Sequence, residues 1–128
     1  MGKNKPFDVK RGDVYMADLG NDKDVVGSEQ HGVRPIVITQ SNRQNEKSPT
    51  VIAAIITSQI KKEKMDCHVI LPKIKGLPKQ SMVCAEQRRT LDKQRLLSYC
   101  CTLSNEVMEN VTRACHKAEE ADKKRRHW

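Results

Sequence analysis

The sequence predicts a mainly β (α+β) fold: a small β-barrel with one helix at its C-terminal end packed on it. Two observations lead to this class. About five short apolar or alternating segments are separated by turns rich in glycine, proline and polar residues. From residue 104 onward, the apolar spacing changes to that of a helix. The chain has 128 residues, so we expect residues 1–128 to form a single domain.

The predicted strands differ in how deeply they should be buried. DVYMADL (13–19) alternates, with Val14 and Met16 on one side and Tyr15 on the other. TVIAAIITSQI (50–60) is a nearly continuous β-branched run, typical of a central strand covered on both faces. The other predicted strands are RPIVITQ (34–40), CHVILP (67–72) and SMVCAEQRRTL (81–91).

Three connecting stretches have weaker patterns. SNRQNEKSPT (41–50) predicts a polar turn, and KKEKMD (61–66) a loop or a single helical turn. RLLSYCCTL (95–103) is apolar, but its type is left open by its spacing.

The C-terminal helix has a recognisable start. Ser104 can cap its first turn, in which Glu106 complements the helix dipole. The apolar residues at helical spacing are Val107, Met108, Val111, Ala114, Cys115 and Ala118. We expect residues 1–10 to be a flexible N-terminal segment and residues 120–128 a basic, solvated tail.

Composition narrows the class of partner. The net charge is +8, which favours a polyanion, with nucleic acid first. Aromatic residues make up only 3%, too few for a broad stacking platform. No apolar run approaches the roughly 20 residues of a membrane span, and the N-terminal stretch has no apolar signal core. We therefore expect a cytoplasmic protein without membrane contact.

Cysteine and histidine usage gives no metal-ligand pattern. The five cysteines have no CxxC spacing, and the four histidines are far apart in sequence. Free buried thiols in a reducing compartment are the expected state. We therefore predict no metal site and no cofactor.

The stretch GSEQHGVRP (27–35) carries more chemistry than a turn requires. Its two glycines let the chain bend, and polar side chains between them can donate to and accept from RNA bases. Pro35 restricts the backbone of Arg34 to an extended conformation, and a guanidinium fork matches two phosphate oxygens. From the residues alone, the alternative interpretation is favoured for Arg34: a surface salt bridge beside a solvated polar loop.

A family resemblance decides between these interpretations. RGDVY, DLG, GSEQHGVRPIVI, SPTVIAAIITSQI and EQRRTLDKQRL resemble, in order and spacing, the MazF/PemK family of toxin endoribonucleases. The resemblance runs from residue 11 to the C-terminal helix. It implies an SH3-like barrel that forms a homodimer and is neutralised by a MazE-like antitoxin. It also implies sequence-specific cleavage of single-stranded mRNA at a short motif around ACA, without a ribosome or a metal ion.

The resemblance assigns candidate residues. It implies Arg34 and Thr57 as the catalytic pair. Residues expected to contact RNA, from the resemblance and from their charge or polarity, are Ser28, Glu29, Gln30, His31, Gln59, Lys61, Lys62, Lys64, Met65, His68, Glu86 and Gln87.

Some of these assignments have alternatives. His31 stands where glycine is common in the family, so it is either a passive substitution or the missing base or acid. His68 either contacts RNA or holds its strand. Arg88 and Arg89 could serve RNA, the dimer contact or an acidic antitoxin.

Two other classes of function stay open at this stage. One is a toxin of the same barrel fold that binds a protein target, as CcdB binds DNA gyrase, although such a toxin would not need the Arg34–Thr57 pair. The other is an RNA- or DNA-binding barrel without catalysis.

Overall fold

The computed structural model describes residues 8–20, 31–62 and 64–120. The strands are β1 (Asp13–Asp18), β2 (Val33–Ile38), β3 (Thr50–Thr57), β4 (His68–Ile70), β5 (Met82–Asp92) and β6 (Leu96–Thr102). The helices are α1 (Asn42–Lys47) and α2 (Asn105–Glu119), and a 3₁₀ turn at Lys93–Arg95 joins β5 to β6. The predicted class, mainly β with a C-terminal helix, is confirmed.

All six strands belong to one antiparallel sheet with the order β4-β5-β3-β2-β1-β6. β5 bulges opposite the Ala54–Ile55 step of β3, since Ile55 pairs with Cys84 whereas Ala54 pairs with Arg88. Bulges of this kind bend a strand and increase its twist. β5 can therefore pair with β3 along its length and with β4 at its start, which gives the sheet its barrel-like curvature.

The sheet has an apolar cluster on each face. The cluster beneath α2 contains Val14, Val37, Ala54, Ile56, Val83, Ala85, Met108, Val111, Ala114 and Cys115, among others. The opposite cluster contains Tyr15, Ala17, Leu19, Ile36, Ile38, Val51, Ala53, Ile55, Leu91 and Leu96, together with Val9 from the segment expected to be flexible. β3 supplies alternate residues to both clusters, as the β-branched run predicts for a doubly covered strand.

Two local predictions change or gain detail. The polar stretch 41–50 is not simply a turn, because it contains α1, whose N-terminus is capped by Ser41. The side chain of Asn45, which is buried, exchanges hydrogen bonds with Gln40 inside this segment. The open segment 95–103 forms β6.

α2 begins where predicted, with the Ser104 side chain accepting from the amide of Val107 at 3.2 Å. Met108, Val111, Ala114 and Cys115 are its buried residues, whereas Ala118 is exposed near the end of the helix. The buried residues therefore span about two turns of the helix.

Candidate functional site

Arg34 and Thr57 lie near the same end of two neighbouring antiparallel strands. The last registered pair of β2 and β3 at this end is Ile36 with Ile55. Two residues further along, β2 carries Arg34 and β3 ends at Thr57. The fold therefore places the two residues implied as catalytic side by side, although 23 positions separate them in the chain.

The guanidinium of Arg34 is oriented by the loop that precedes β2. Its Nε donates to the carbonyl oxygen of His31 at 3.0 Å. Its backbone pairs with Ala17 of β1 on the other side, and the residue is half-buried. Because one bond fixes the plane of the guanidinium, the donors on its terminal nitrogens have a defined direction.

Thr57 is held by a turn at the end of β3. The amide of Gln59 donates to its Oγ1 at 3.0 Å. A hydroxyl that accepts through its oxygen keeps its own proton for donation to a further acceptor. Thr57 is thus positioned as a hydrogen-bond donor.

Both residues line one cavity of about 210 Å³. Its other walls come from β1, from the start of β2 and from the loop between β4 and β5, with Met16, Val33, Pro35, Ile56, Ser58, Gly76, Leu77, Pro78, Lys79 and Ser81. None of the RNA-contact residues predicted from the sequence lines this cavity within the described residues. A more open depression of about 660 Å³ lies between Arg11 and α2, and it contains none of the predicted site residues.

Sequence reasoning missed Lys79 and Ser81 as cavity residues. They lie on the connection 71–81, which showed only glycine and proline turn signals. Lysines on both sides of Gly76–Pro78 can indicate an anion-binding loop, but their position in the sequence gives no link to Arg34. The contact arises from the tertiary fold.

His68 and Glu86 form a second group, at the β4–β5 edge. The His68 Nε2 lies 3.0 Å from the Glu86 Oε2, and its Nδ1 lies 2.9 Å from the carbonyl oxygen of Lys62. Desolvation lowers the pKa of His68, but the hydrogen bonds to Glu86 and Lys62 and the charge of Glu86 outweigh it and raise the pKa above its ordinary value. Both ring nitrogens therefore have protein partners.

Cys67 adjoins this pair. Its thiol has a raised pKa, first because of burial and then because of the charge of Glu86 and a hydrogen bond to it. The ligand atoms of Cys67, His68 and Glu86 all lie within 4.8 Å of one another. The sequence showed no such pattern, because Glu86 is 18 residues from His68.

The remaining predicted RNA contacts are distributed around the connection between β3 and β4. Gln59, Lys61, Lys62, Lys64 and Met65 are exposed there, and Gln87 is half-buried on β5. His31 is half-buried beside Arg34. Ser28, Glu29 and Gln30 lie outside the described residues.

Arg88 makes several hydrogen bonds within the fold. Its Nε donates to the carbonyl of Ala85 at 3.1 Å, and its guanidinium reaches the carbonyl of Cys115 and the carboxylate of Glu119 on α2. Arg89 donates to the carbonyl of Leu19 at 3.5 Å. Arg88 therefore ties the helix to the sheet.

Neither helix in the described ranges has the length and apolar character that a membrane crossing requires.

Comparison with known proteins identifies the family. Residues 10–118 match the family described as PemK-like, MazF-like toxin of type II toxin–antitoxin system. Endoribonuclease EndoA of Bacillus subtilis (strain 168) is 50% identical over 107 residues, which cover 83% of this chain and 90% of that relative.

Solved structures agree on the fold. An endoribonuclease in complex with its cognate antitoxin, from Mycobacterial species, superposes with a TM-score of 0.71 at 24% identity, covering 86% of this chain and 93% of that one. MazF from Deinococcus radiodurans gives a TM-score of 0.70 at 22% identity, covering 85% and 94%. The match over residues 10–118 and the half-identical relative confirm the resemblance: the chain belongs to the PemK-like, MazF-like family of type II toxin–antitoxin toxins.

Proposed function

We propose that this toxin is a cytoplasmic endoribonuclease that cuts single-stranded mRNA at a short sequence, without a ribosome or a metal ion, and so stops translation and growth. The observation that carries the proposal is the position of Arg34 and Thr57 on opposing strands and in one cavity. EndoA, the half-identical relative, is named an endoribonuclease.

The reaction uses the RNA's own 2′-hydroxyl. Its oxygen forms a bond to the adjacent phosphorus, the bond from phosphorus to the 5′-oxygen breaks, and the 5′-oxygen takes up a proton. The attacking hydroxyl loses its proton to a base, and negative charge accumulates on the phosphate oxygens in the transition state. Fixed donors aimed at those oxygens accelerate such a step.

Arg34 and Thr57 supply donors of this kind. Arg34 offers the N–H groups of its terminal nitrogens, since Nε is already bound to the His31 carbonyl. Thr57 offers the hydroxyl proton, since its oxygen accepts from Gln59. A guanidinium stays protonated at all physiological pH values, so Arg34 stabilises charge and does not act as the base.

The two nearby histidines have different environments. His31 precedes β2, and its backbone carbonyl accepts a hydrogen bond from the Nε of Arg34. His68 is engaged through both ring nitrogens. Because His31 is joined to Arg34 through its backbone, we assign it as the candidate for proton transfer, and we assign His68 as a residue that holds the β4–β5 edge where RNA passes.

We assign binding of RNA and recognition of its base sequence to the loop before β2 and the β3–β4 connection. Ser28, Glu29 and Gln30 read bases, while Lys61, Lys62 and Lys64 bind phosphates without sequence preference. Gln59, Met65, Glu86 and Gln87 complete the RNA path, and ACA is the expected core of the motif. Replacing Glu29 and Gln30 with alanine should broaden the set of cleaved sequences, and an unchanged cleavage pattern would remove this assignment.

The proposed partners follow from the family and from the net positive charge of the chain. The toxin acts as a homodimer and is neutralised by a MazE-like antitoxin, whose acidic extended segment takes the place of RNA on the basic toxin. Supporting this, a solved mycobacterial relative is described in complex with its cognate antitoxin, and another solved structure is a MazE–MazF complex from Deinococcus radiodurans.

The test is mapped cleavage of a long mixed RNA in the presence of a chelator. Wild type should cut at one short motif, and Arg34→Ala should not. Arg43→Ala is the matched control, because Arg43 is an exposed arginine on α1. If Arg34→Ala cuts at the same sites and rate as wild type, the assignment of Arg34 is wrong. If wild type retains RNA without cutting it, a non-catalytic binding protein is the better description, and if it does neither, a protein target such as gyrase becomes the better one.

A further inference from the structure

Three potential metal ligands meet at the β4–β5 edge. Cys67 lies immediately before β4, His68 begins it, and Glu86 lies on the bulged part of β5. The pairing is fixed by the amide of Ala85, which donates to the carbonyl of Cys67 at 2.9 Å. A thiol, an imidazole and a carboxylate are thus brought within 4.8 Å of one another.

The spacing suits a tetrahedral ion. Zinc bonds of about 2.0–2.3 Å to nitrogen, oxygen and sulfur place neighbouring ligand atoms about 3.4–3.6 Å apart. The His68 Nε2 and Glu86 Oε2 are 3.0 Å apart, and no pair in the group exceeds 4.8 Å. The observed separations therefore bracket the spacing that one zinc ion requires.

The surroundings of His68 resemble the support that metal-binding histidines require. Its Nδ1 lies 2.9 Å from the Lys62 carbonyl, a contact that fixes the ring and presents Nε2 to the cluster. The His68 side chain is only 7% exposed, whereas that of Glu86 is 37% exposed. The His68 ring is therefore buried, and an ion can reach the cluster from solvent past the Glu86 carboxylate.

We propose that Cys67 Sγ, His68 Nε2 and a Glu86 carboxylate oxygen bind one Zn²⁺ ion, with water in the fourth position. The thiol releases its proton to solvent on binding, and His68 binds as the neutral ring. A set of one thiolate, one imidazole and one carboxylate favours zinc over Mg²⁺ or Ca²⁺, which prefer all-oxygen sites.

This site has a consequence for the activity, which rests on the proposed function. His68 and Glu86 are assigned to the RNA path, so an ion that binds both withdraws them from RNA. Zinc then inhibits cleavage while leaving Arg34 and Thr57 in place. The cluster is a regulatory site outside the catalytic cavity, since none of its three residues lines that cavity.

The binding test uses the metal alone. The full chain, without an affinity tag, is reduced, stripped of metal and titrated with Zn²⁺ by calorimetry and with Co²⁺ by absorption. We expect one ion per chain and a thiolate-to-cobalt charge-transfer band. Cys67→Ser, His68→Gln and Glu86→Gln should each weaken zinc binding by about 100-fold or more. Cys115→Ser is the control, because Cys115 is a buried free cysteine on α2 and should leave binding unchanged.

Several results would overturn the site. These are a wild type that binds zinc no more tightly than Glu86→Gln, binding retained in all three variants, or a cobalt spectrum without the thiolate band. Glu86→Gln keeps the test valid if Cys67→Ser fails to fold, because Glu86 is exposed. The titrations contain no RNA, so their outcome is separate from that of the cleavage assay. Zinc should inhibit wild type and not Cys67→Ser, whose residue belongs to the cluster but is not assigned to the RNA path. Equal inhibition of both would refute the regulatory role.

Discussion

Arg34 and Thr57 each lie two residues beyond the Ile36–Ile55 pair on their own strands, and both line the same cavity. The hydrogen bonds around them have complementary effects. One fixes the plane of the Arg34 guanidinium through the His31 carbonyl, and the other occupies the oxygen of Thr57 and spares its proton. Two donors are thereby preset at one place on the sheet.

Removal of the Thr57 hydroxyl should separate catalysis from folding. Thr57→Val keeps the β-branched shape but removes the acceptor of the Gln59 amide, so the free energy of unfolding should fall by about 1 kcal/mol, the contribution of one hydrogen bond. The single-turnover cleavage rate should fall by about 10²-fold or more, as for loss of one transition-state donor. Thr57→Ser should retain most of the rate. A Thr57→Val enzyme as fast as wild type would show that this hydroxyl takes no part in the reaction.

The lysines after β3 should determine the salt dependence of RNA binding. Lys61→Gln combined with Lys64→Gln, in an Arg34→Ala background that prevents cutting, should reduce the slope of log affinity against log salt. Each lost phosphate contact with a single strand reduces it by about 0.7. Lys62 is left unchanged, because it has a positive φ of 52° and its carbonyl contacts His68.

Fluorescence anisotropy on RNAs with and without the mapped motif measures this slope. Both RNAs should lose affinity alike, since phosphate contacts carry no sequence information. Lys47→Gln, on exposed α1, is the control. A slope that stays the same in the double variant would assign these lysines to solubility alone.

Two glycines with positive φ should respond differently to alanine. A Cβ on Gly76, at φ +104°, would lie 2.2 Å from the carbonyl oxygen of Cys100, so backbone must move. Gly32, at φ +77°, has no described heavy atom within 4 Å of the same position. Gly32→Ala should therefore cost only the backbone strain, about 1–2 kcal/mol, and Gly76→Ala more than that.

Urea unfolding compares the two variants through their midpoints and slopes. Gly76→Ala should also slow cleavage, because Gly76 lines the Arg34–Thr57 cavity. Equal losses of stability in both variants would mean that the loop moves away from Cys100 at no cost.

Tyr15 should make the fold sensitive to alkaline pH. Burial, and then the charges of Asp13, Tyr99 and Asp8, raise the pKa of Tyr15 to about 12. An unfolded tyrosine ionises near 10. The folded state therefore keeps the proton longer, and this contribution to stability is fully present below pH 10 and is lost as the pH rises towards 12.

The measurement is the free energy of unfolding of wild type minus that of Tyr15→Phe, followed from pH 9 to 12. The difference should be constant up to about pH 10 and then decline. Tyrosinate absorbance gives the ionisation directly, since Tyr15→Phe should remove the late step. A wild type without a step near pH 12 would contradict the raised pKa.

The elements that could be predicted from the sequence are those whose local pattern agrees with their tertiary environment. β3 has an almost continuous apolar run because both of its faces are buried, and Ser104 marks the start of α2 by its own hydrogen bond. α1 escaped prediction because its only buried residue is Asn45, which is polar and held by Gln40. A helix without an apolar stripe has no period to detect.

The candidate site was predictable only in part. Neither periodicity nor composition identified Arg34 and Thr57 as a pair; the family resemblance did, and the strand register supplies their proximity. Lys79 and the Cys67–His68–Glu86 group were missed because each depends on a contact between distant parts of the chain. The bulge in β5 determines the position of Glu86, and no sequence pattern indicated that bulge.

The position of β1 has a consequence for the order of events during synthesis. β1 pairs on one side with β2, which carries Arg34, and on the other with β6, where Asp13 aligns with Thr102, 89 residues later. A ribosome therefore synthesises β2 and β3, which carry Arg34 and Thr57, before it synthesises β6. Until residue 102 has been added, β1 has only one of its two neighbouring strands. The sheet that supports Arg34 is therefore completed only after the strands that carry Arg34 and Thr57.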